Sequence, residues 1–200
     1  MDGLHEKYWV TEYFGACSSS IAASIVPHIS FCNIQRLSLA YQIISYNDLM
    51  ILAKDVEDLT MEKVFVKNEV TYYVTMDKIF DLFPKVKRFS YTCTERTMVF
   101  ETFGKFLKNP NFLALEVFTC YHISDNFDIE AFFVYMESNK HTKINLEFAN
   151  NISVALKNRL EQIVDEILST QNHGYKPPFL HFLGLAQQKL NAMRDLSSSA

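Results

Sequence analysis

The chain has 200 residues, 48% of them hydrophobic and 14% aromatic, which fits one compact domain with a continuous core and excludes a disordered chain. Its formal net charge is −4 and its pI is near 5.9, so it lacks the positive field on which sequence-independent nucleic-acid binding draws. Five glycines and five prolines are too few for an all-β sandwich, which needs a tight turn every 8–12 residues.

Read in chain order, the first 33 residues form an opening cap, with Ser18 to Val26 a short helix closed by Pro27. From residue 34 a strand pattern, apolar-x-x-apolar-x-apolar, recurs five times. It reads Ile34-x-x-Leu37-x-Leu39, Val56-x-x-Leu59-x-Met61, Val86-x-x-Phe89-x-Tyr91, Phe112-x-x-Leu115-x-Val117 and, degenerate, His141-x-x-Ile144-x-Leu146. The starts are 22, 30, 26 and 29 residues apart, at or just beyond the period of a leucine-rich repeat. Between the strands lie helical spacings. Asp48 to Leu52 is brief, and Asp77 to Phe83 stops at Pro84. Glu95 to Leu107 stops at Asn109-Pro110, and Ser124-Asp125 caps a helix with Ile129, Phe132, Phe133 and Met136 on one stripe. Strand-helix alternation implies parallel strands joined by helical crossovers.

The clearest helix runs from Ser153 to about Ser169, with Leu156, Leu160, Ile163, Val164 and Ile167 on one face. Pro177-Pro178 prevents its continuation, and the apolar Phe179 to Leu183 packs back over the terminal repeat as a closing cap. Leu196 to Ala200 reads as a frayed tail. The division is therefore 1–33 cap, 34–152 repeats and 153–196 helix and cap, one domain overall.

The segment Phe112-x-x-Leu115-x-Val117-x-x-Cys120-x-x-Ile123-Ser-Asp resembles the cysteine-containing variant of the leucine-rich repeat. The resemblance implies that Cys120 closes hydrogen bonds in the turn after the strand, while the equivalent places hold Gln42, Val64, Thr94 and Ala149. With the tail Tyr175 to Leu185, the texture of residues 30–195 is similar to the leucine-rich-repeat-like, F-box-associated families expanded in nematodes, although no F-box opening is present. That likeness implies an interaction module without chemistry of its own. The expected fold is α/β, a short solenoid whose curved parallel sheet carries helices on its convex side.

Motifs for phosphate cradles, dinucleotides, serine hydrolases and zinc proteases are absent. Cys17, Cys32, Cys93 and Cys120 form no C-x-x-C pair and read as reduced, half-buried thiols. Cys120 with His122 reads as a turn thiol beside a surface imidazole, not a nucleophile pair. His173 and His181 flank a proline break that fixes no ligand geometry. Asp55, Glu57 and Asp58 read as a solvated turn. No cofactor or metal is expected. Asn151-Ile152-Ser153 matches a glycosylation sequon by chance. No signal peptide or run of about 18 apolar residues occurs, so the expected location is the cytoplasm or nucleus, without membrane or nucleic-acid partners.

The expected site is the outward face of the sheet. If Leu37 and Leu39 point inward, alternation turns three rows outward. They are Arg36, Asp58, Arg88, Ala114, Lys143; then Ser38, Thr60, Ser90, Glu116, Asn145; then Ala40, Glu62, Thr92, Phe118, Glu147. Small hydroxyls between charges make a polar trough for a protein partner, with Phe118, Arg88 and Glu116 near its centre. The competing readings are a face that is merely wet, a small α/β enzyme with a crevice at the strand C-terminal ends, and a degenerate paralogue without a partner.

Overall fold

A computed structural model describes residues 7–18, 20–68, 74–93, 104 and 107–199. Among them, seven strands form one parallel sheet: β1 (Tyr8–Ala16), β2 (Ile29–Ala40), β4 (Asp58–Glu62), β6 (Arg88–Thr92), β7 (Val117–Ile123), β8 (Lys143–Phe148) and β9 (Phe179–His181). They lie side by side in chain order, as expected of sequential strand-helix units. Two short strands, β3 (Ile43–Ser45) and β5 (Phe65–Lys67), pair with each other in a second parallel sheet. The helices are α1 (Ile21–Ile25), α2 (Tyr46–Ala53), α3 (Met76–Phe80), α4 (Pro110–Leu113), α5 (Ile129–Ser138), α6 (Val154–Ser169) and α7 (Gln187–Ser199).

Register fixes what points where. One inward row is Phe14, Leu37, Leu59, Phe89, Phe118 and Ile144; the next is Ala16, Leu39, Met61, Tyr91, Cys120, Leu146 and Leu180. Each of these side chains is at most 7% exposed. They pack with Leu49 and Leu52 of α2, Phe80 of α3, Phe112 of α4, Phe132 of α5 and Leu160 and Ile163 of α6 in one core cluster. The rings mesh at its centre, Phe118 lying 5.8 Å from Phe89 in a stack and 5.1 Å edge-on from Phe112.

Several helices begin where a short polar side chain takes up an orphaned backbone N–H group. Ser45 accepts from Asp48 N at 3.0 Å, and Asn109 from Asn111 N at 2.9 Å. Asp128 accepts from Ala131 N at 2.9 Å and so caps α5 in place of the expected Ser124-Asp125. The Asp125 carboxylate instead accepts from Ser153 N at 2.9 and 3.1 Å, at the start of α6.

After β2 and β4 the chain turns a corner through a left-handed residue, Tyr41 at φ 56° and Lys63 at φ 50°; His122 at φ 55° takes the corresponding place late in β7. A non-glycine residue there costs about 1–2 kcal/mol. Hydrogen bonds between neighbouring units hold the corner: Tyr41 N donates to Glu62 O, Phe65 N to Gln42 O and Cys93 N to Tyr121 O, at 2.8–2.9 Å. Gln42 is fully enclosed. Its Oε1 accepts from Ala22 N at 3.1 Å, and its Nε2 donates to Ala40 O at 2.9 Å and to Ser18 O. The bonding expected of Cys120 is therefore made by Gln42, whereas Cys120 is an inward strand residue with its Sγ 3.3 Å from Cys93 Sγ.

Several expectations are corrected. The fourth strand begins at Val117 rather than at 112, because Asn109 and Pro110 start a helix that takes Phe112. The opening cap contributes an edge strand, β1, before its helix. Phe179–His181 does not lie over the end of the sheet but extends it as β9. Leu196 to Ser199 belong to α7 and are not a frayed tail. The helix expected over Glu95 to Leu107 lies outside the described residues save for Gly104 and Leu107.

Candidate functional site

The face of the sheet turned away from the inward rows carries three outward rows. The first is Tyr13, Arg36, Asp58, Arg88, Val117 and Lys143; the second is Gly15, Ser38, Thr60, Ser90, Thr119, Asn145 and Phe179; the third is Ala40, Glu62, Thr92 and Tyr121 and, across a register shift between Cys120 and Ile123, Glu147 and His181. The expected residues Arg36, Asp58, Thr60, Arg88, Ser90, Thr92, Asn145 and Glu147 all stand on this face. In the fourth unit Ala114, Glu116 and Phe118 give way to Val117, Thr119 and Tyr121. Two apolar triplets three residues apart both fit the strand template, and a slip by an odd number of residues exchanges the two faces. Phe118 is consequently 0% exposed and cannot touch a partner. Glu116 sits just before β7, exposed, with Oε2 3.9 Å from Arg88 Nη1. Tyr121, 38% exposed, takes the place expected of Phe118.

The acidic run of the second unit is neutralised by the third. Asp55 pairs with Lys85 at 2.5 Å, Glu57 with Lys87 at 2.8 Å, and Asp58 Oδ1 with Arg88 Nε at 2.5 Å, each 30 residues along the chain. Arg88 Nη2 also donates a charge-assisted hydrogen bond to Asp58 Oδ2 at 2.7 Å. The hydrogen bond from Lys85 lowers the Asp55 pKa, and those to Glu57 and Asp58 raise the pKa values of Lys87 and Arg88. Units two and three therefore present fixed, mutually compensated charges at neutral pH.

Two hollows join along this face. One, of about 310 Å³, is bordered by Tyr13, Arg36, Ser38, Thr60, Arg88 and Thr119. The other, of about 300 Å³, lies between β7, β8, β9 and α7 and includes Thr119, Tyr121, Lys143, Asn145, Glu147, Phe179 and Arg194. Thr119 belongs to both, making one shallow trough across the strands. Its far wall is α7, which Lys189 ties to α6 through Glu161 at 2.8 Å and Asp165 at 2.7 Å. Met193 of α7 is fully buried, and the Arg194 guanidinium lies 5.9 Å from the Phe179 ring centroid.

The near wall is Tyr13, whose ring lies over Gly15: a Cβ added there would collide with the Tyr13 hydroxyl oxygen. Tyr13, Gly15 and Arg194 are contributions that the repeat pattern does not announce. The alternation of Tyr13 and Gly15 with the buried Phe14 and Ala16 is the period-two signal that marks β1; α7 has no strand-like signal to tie it to this face.

The other candidate groups do not converge here. Burial and the Cys93 contact push the Cys120 thiol well above its usual pKa, the opposite of an activated nucleophile. A His173 ring nitrogen lies 2.9 Å from Ile167 O at the end of α6, while His181 stands on the third outward row. Among the described residues no three His, Cys, Asp or Glu side chains cluster to hold a metal, and no helix is long and apolar enough to cross a membrane. No protein-family model, curated protein or solved structure matches the chain.

Proposed function

We propose that this chain is a protein-interaction module that takes a segment of a partner protein along the trough of its open sheet face. The observation that carries the reading is the face itself. Parallel sheets are ordinarily covered on both sides, yet here one side offers the row Ser38, Thr60, Ser90 and Thr119, small side chains that allow close approach, between aromatic walls at Tyr13, Tyr121 and Phe179. Sequential strands, left-handed corners recurring in register and Gln42 in the turn support a leucine-rich-repeat-like solenoid as the scaffold. A likeness to the F-box-associated families carries the same implication of binding without chemistry.

The test replaces Tyr121 by Ala and Arg88 by Glu, confirms the thermal midpoint, and measures affinity for the protein recovered by affinity capture. A buried aromatic or arginine anchor is worth about 2 kcal/mol or more, roughly thirtyfold in affinity. Both variants should lose at least that much. If they bind as the parent does while Asn158→Lys on α6 abolishes capture, the partner docks on the helical side and the sheet-face reading falls.

A further inference from the structure

The α7 end of the trough differs from the rest in its charge. Arg88 is satisfied by Asp58, but neither Lys143 nor Arg194 makes an ion pair among the described residues. The Arg194 guanidinium carbon lies instead 5.9 Å from the Phe179 ring centroid, a cation–π contact that uses none of its N–H donors and leaves them for an acceptor. Lys143 borders the same cavity from β8.

Accounting for the neutral donors points the same way. Asn145 Nδ2 donates to Thr119 Oγ1 at 3.1 Å, so the Thr119 hydroxyl hydrogen and the second Asn145 amide hydrogen are left for another acceptor. Ser197 and Ser198 are already spent, both donating to Arg194 O, at 3.1 and 2.8 Å. Against these donors the described lining residues include one carboxylate, Glu147. Two cations and one anion give the described lining a surplus of one positive charge, within a volume of about 300 Å³ that admits a single side chain or chain end.

We propose that this cavity is an anion subsite that receives one carboxylate of the partner protein between Lys143 and Arg194, with Thr119 and Asn145 donating. The proposal deepens the trough reading and rests on it for the identity of the ligand's carrier. A monoanion matches the surplus charge of the described lining, whereas a dianionic phosphate exceeds it by one and is repelled more strongly by Glu147. The planar fork of Arg194 fits a carboxylate through two parallel hydrogen bonds.

The experiment is a ¹⁵N–¹H NMR titration of the full chain with N-acetyltyrosine, N-acetyltyrosinamide and inorganic phosphate, following the Asn145 side-chain amide and the Thr119 backbone amide. The acid should give saturable shifts at both groups and the amide should bind about tenfold more weakly, the scale of a lost charge-assisted hydrogen bond. Lys143→Gln and Arg194→Gln should each weaken the acid by about the same factor. Glu147→Gln should tighten it, and this gain of binding cannot come from misfolding. Equal binding of acid and amide, tighter binding of phosphate than of the acid, absence of saturable shifts, or no response to the three substitutions would overturn the subsite. Partner capture lost in Tyr121→Ala while the acid probe fails to bind would keep the trough and remove the subsite; the reverse pair would keep the anion pocket and remove the trough as its setting.

Discussion

Gln42 puts a fully enclosed polar side chain against three backbone groups from two segments of chain, Ala22 N–H and the carbonyls of Ser18 and Ala40. Replacing it with Met keeps the volume but leaves Ala22 N–H and Ala40 O without this partner, while Ser18 O keeps its bond from Ile21 N at 3.4 Å. Gln42→Met should therefore lower the unfolding free energy by about 2–4 kcal/mol, because each buried group left unpaired costs about 1–3 kcal/mol and such costs are not fully additive. Urea denaturation reads this directly, and a loss below about 0.5 kcal/mol would mean that the carbonyls find other donors. The turn position was legible in the sequence, since Gln42 stands three residues after Leu39 in the repeat template. Its chemistry was not: the template makes Cys120 the turn residue only if the fourth unit starts at Phe112. Gly15→Ala should lift Tyr13 off β1 and weaken partner binding with little change in thermal midpoint, since the displaced ring lies at the surface, 55% exposed.

At the scale of an element, β7 shows why alternation alone mispaired one strand in five. Phe112, Leu115, Val117, Phe118 and Cys120 are apolar, so the sequence offers two triplets and no polar residue to choose between them. The choice is made upstream, where Asn109 caps and Pro110 opens α4, withdrawing Phe112 from the strand. The register then predicts that Phe118→Ala, which empties the centre of the Phe89, Phe112 and Phe118 ring cluster, costs about 3–5 kcal/mol. Leu115→Ala, in the buried turn before β7, costs about 2–5 kcal/mol. A Phe118→Ala variant as stable as the parent would return that ring to the surface. The links between elements have their own signature in acid. Asp55 and Glu130 have lowered pKa values in the fold through Lys85 and Arg159. Their contribution is present above the ordinary carboxylate pKa and fades as pH falls through the lowered one. Both pairs are solvent-exposed and the effect is small. Lys85→Met should flatten the acid limb of the stability–pH profile, and an unchanged limb would show that the Asp55 pair does not hold units two and three together.

Among the described residues the seven-stranded sheet of the whole molecule ends in two edge strands, β1 and β9, which are protected differently. β1 is nine residues long, bulged at Glu12, and carries Trp9 at 80% exposure beside Phe31. β9 is three residues long and has α7 packed beside it. A short covered edge is protected against pairing with another chain, and its cover is anchored by Met193 in the core and by Lys189 on Glu161 and Asp165. Deleting residues 186–200 removes the anchor, bares the site of a fully buried methionine worth about 1.5–3 kcal/mol, and opens the second edge. The shortened chain should therefore unfold at lower temperature and elute as larger assemblies than the full chain in size-exclusion chromatography with light scattering. Adding His181→Lys to the truncation places a fixed charge on the bared strand and should partly reverse the assembly. It should not restore the thermal midpoint, because it acts on edge pairing and not on the lost core contact. A truncated chain with the parent's midpoint and size would mean that α7 is neither part of the core nor an edge cover, and the wall of the trough that Arg194 supplies would have no structural reason to stay where it is.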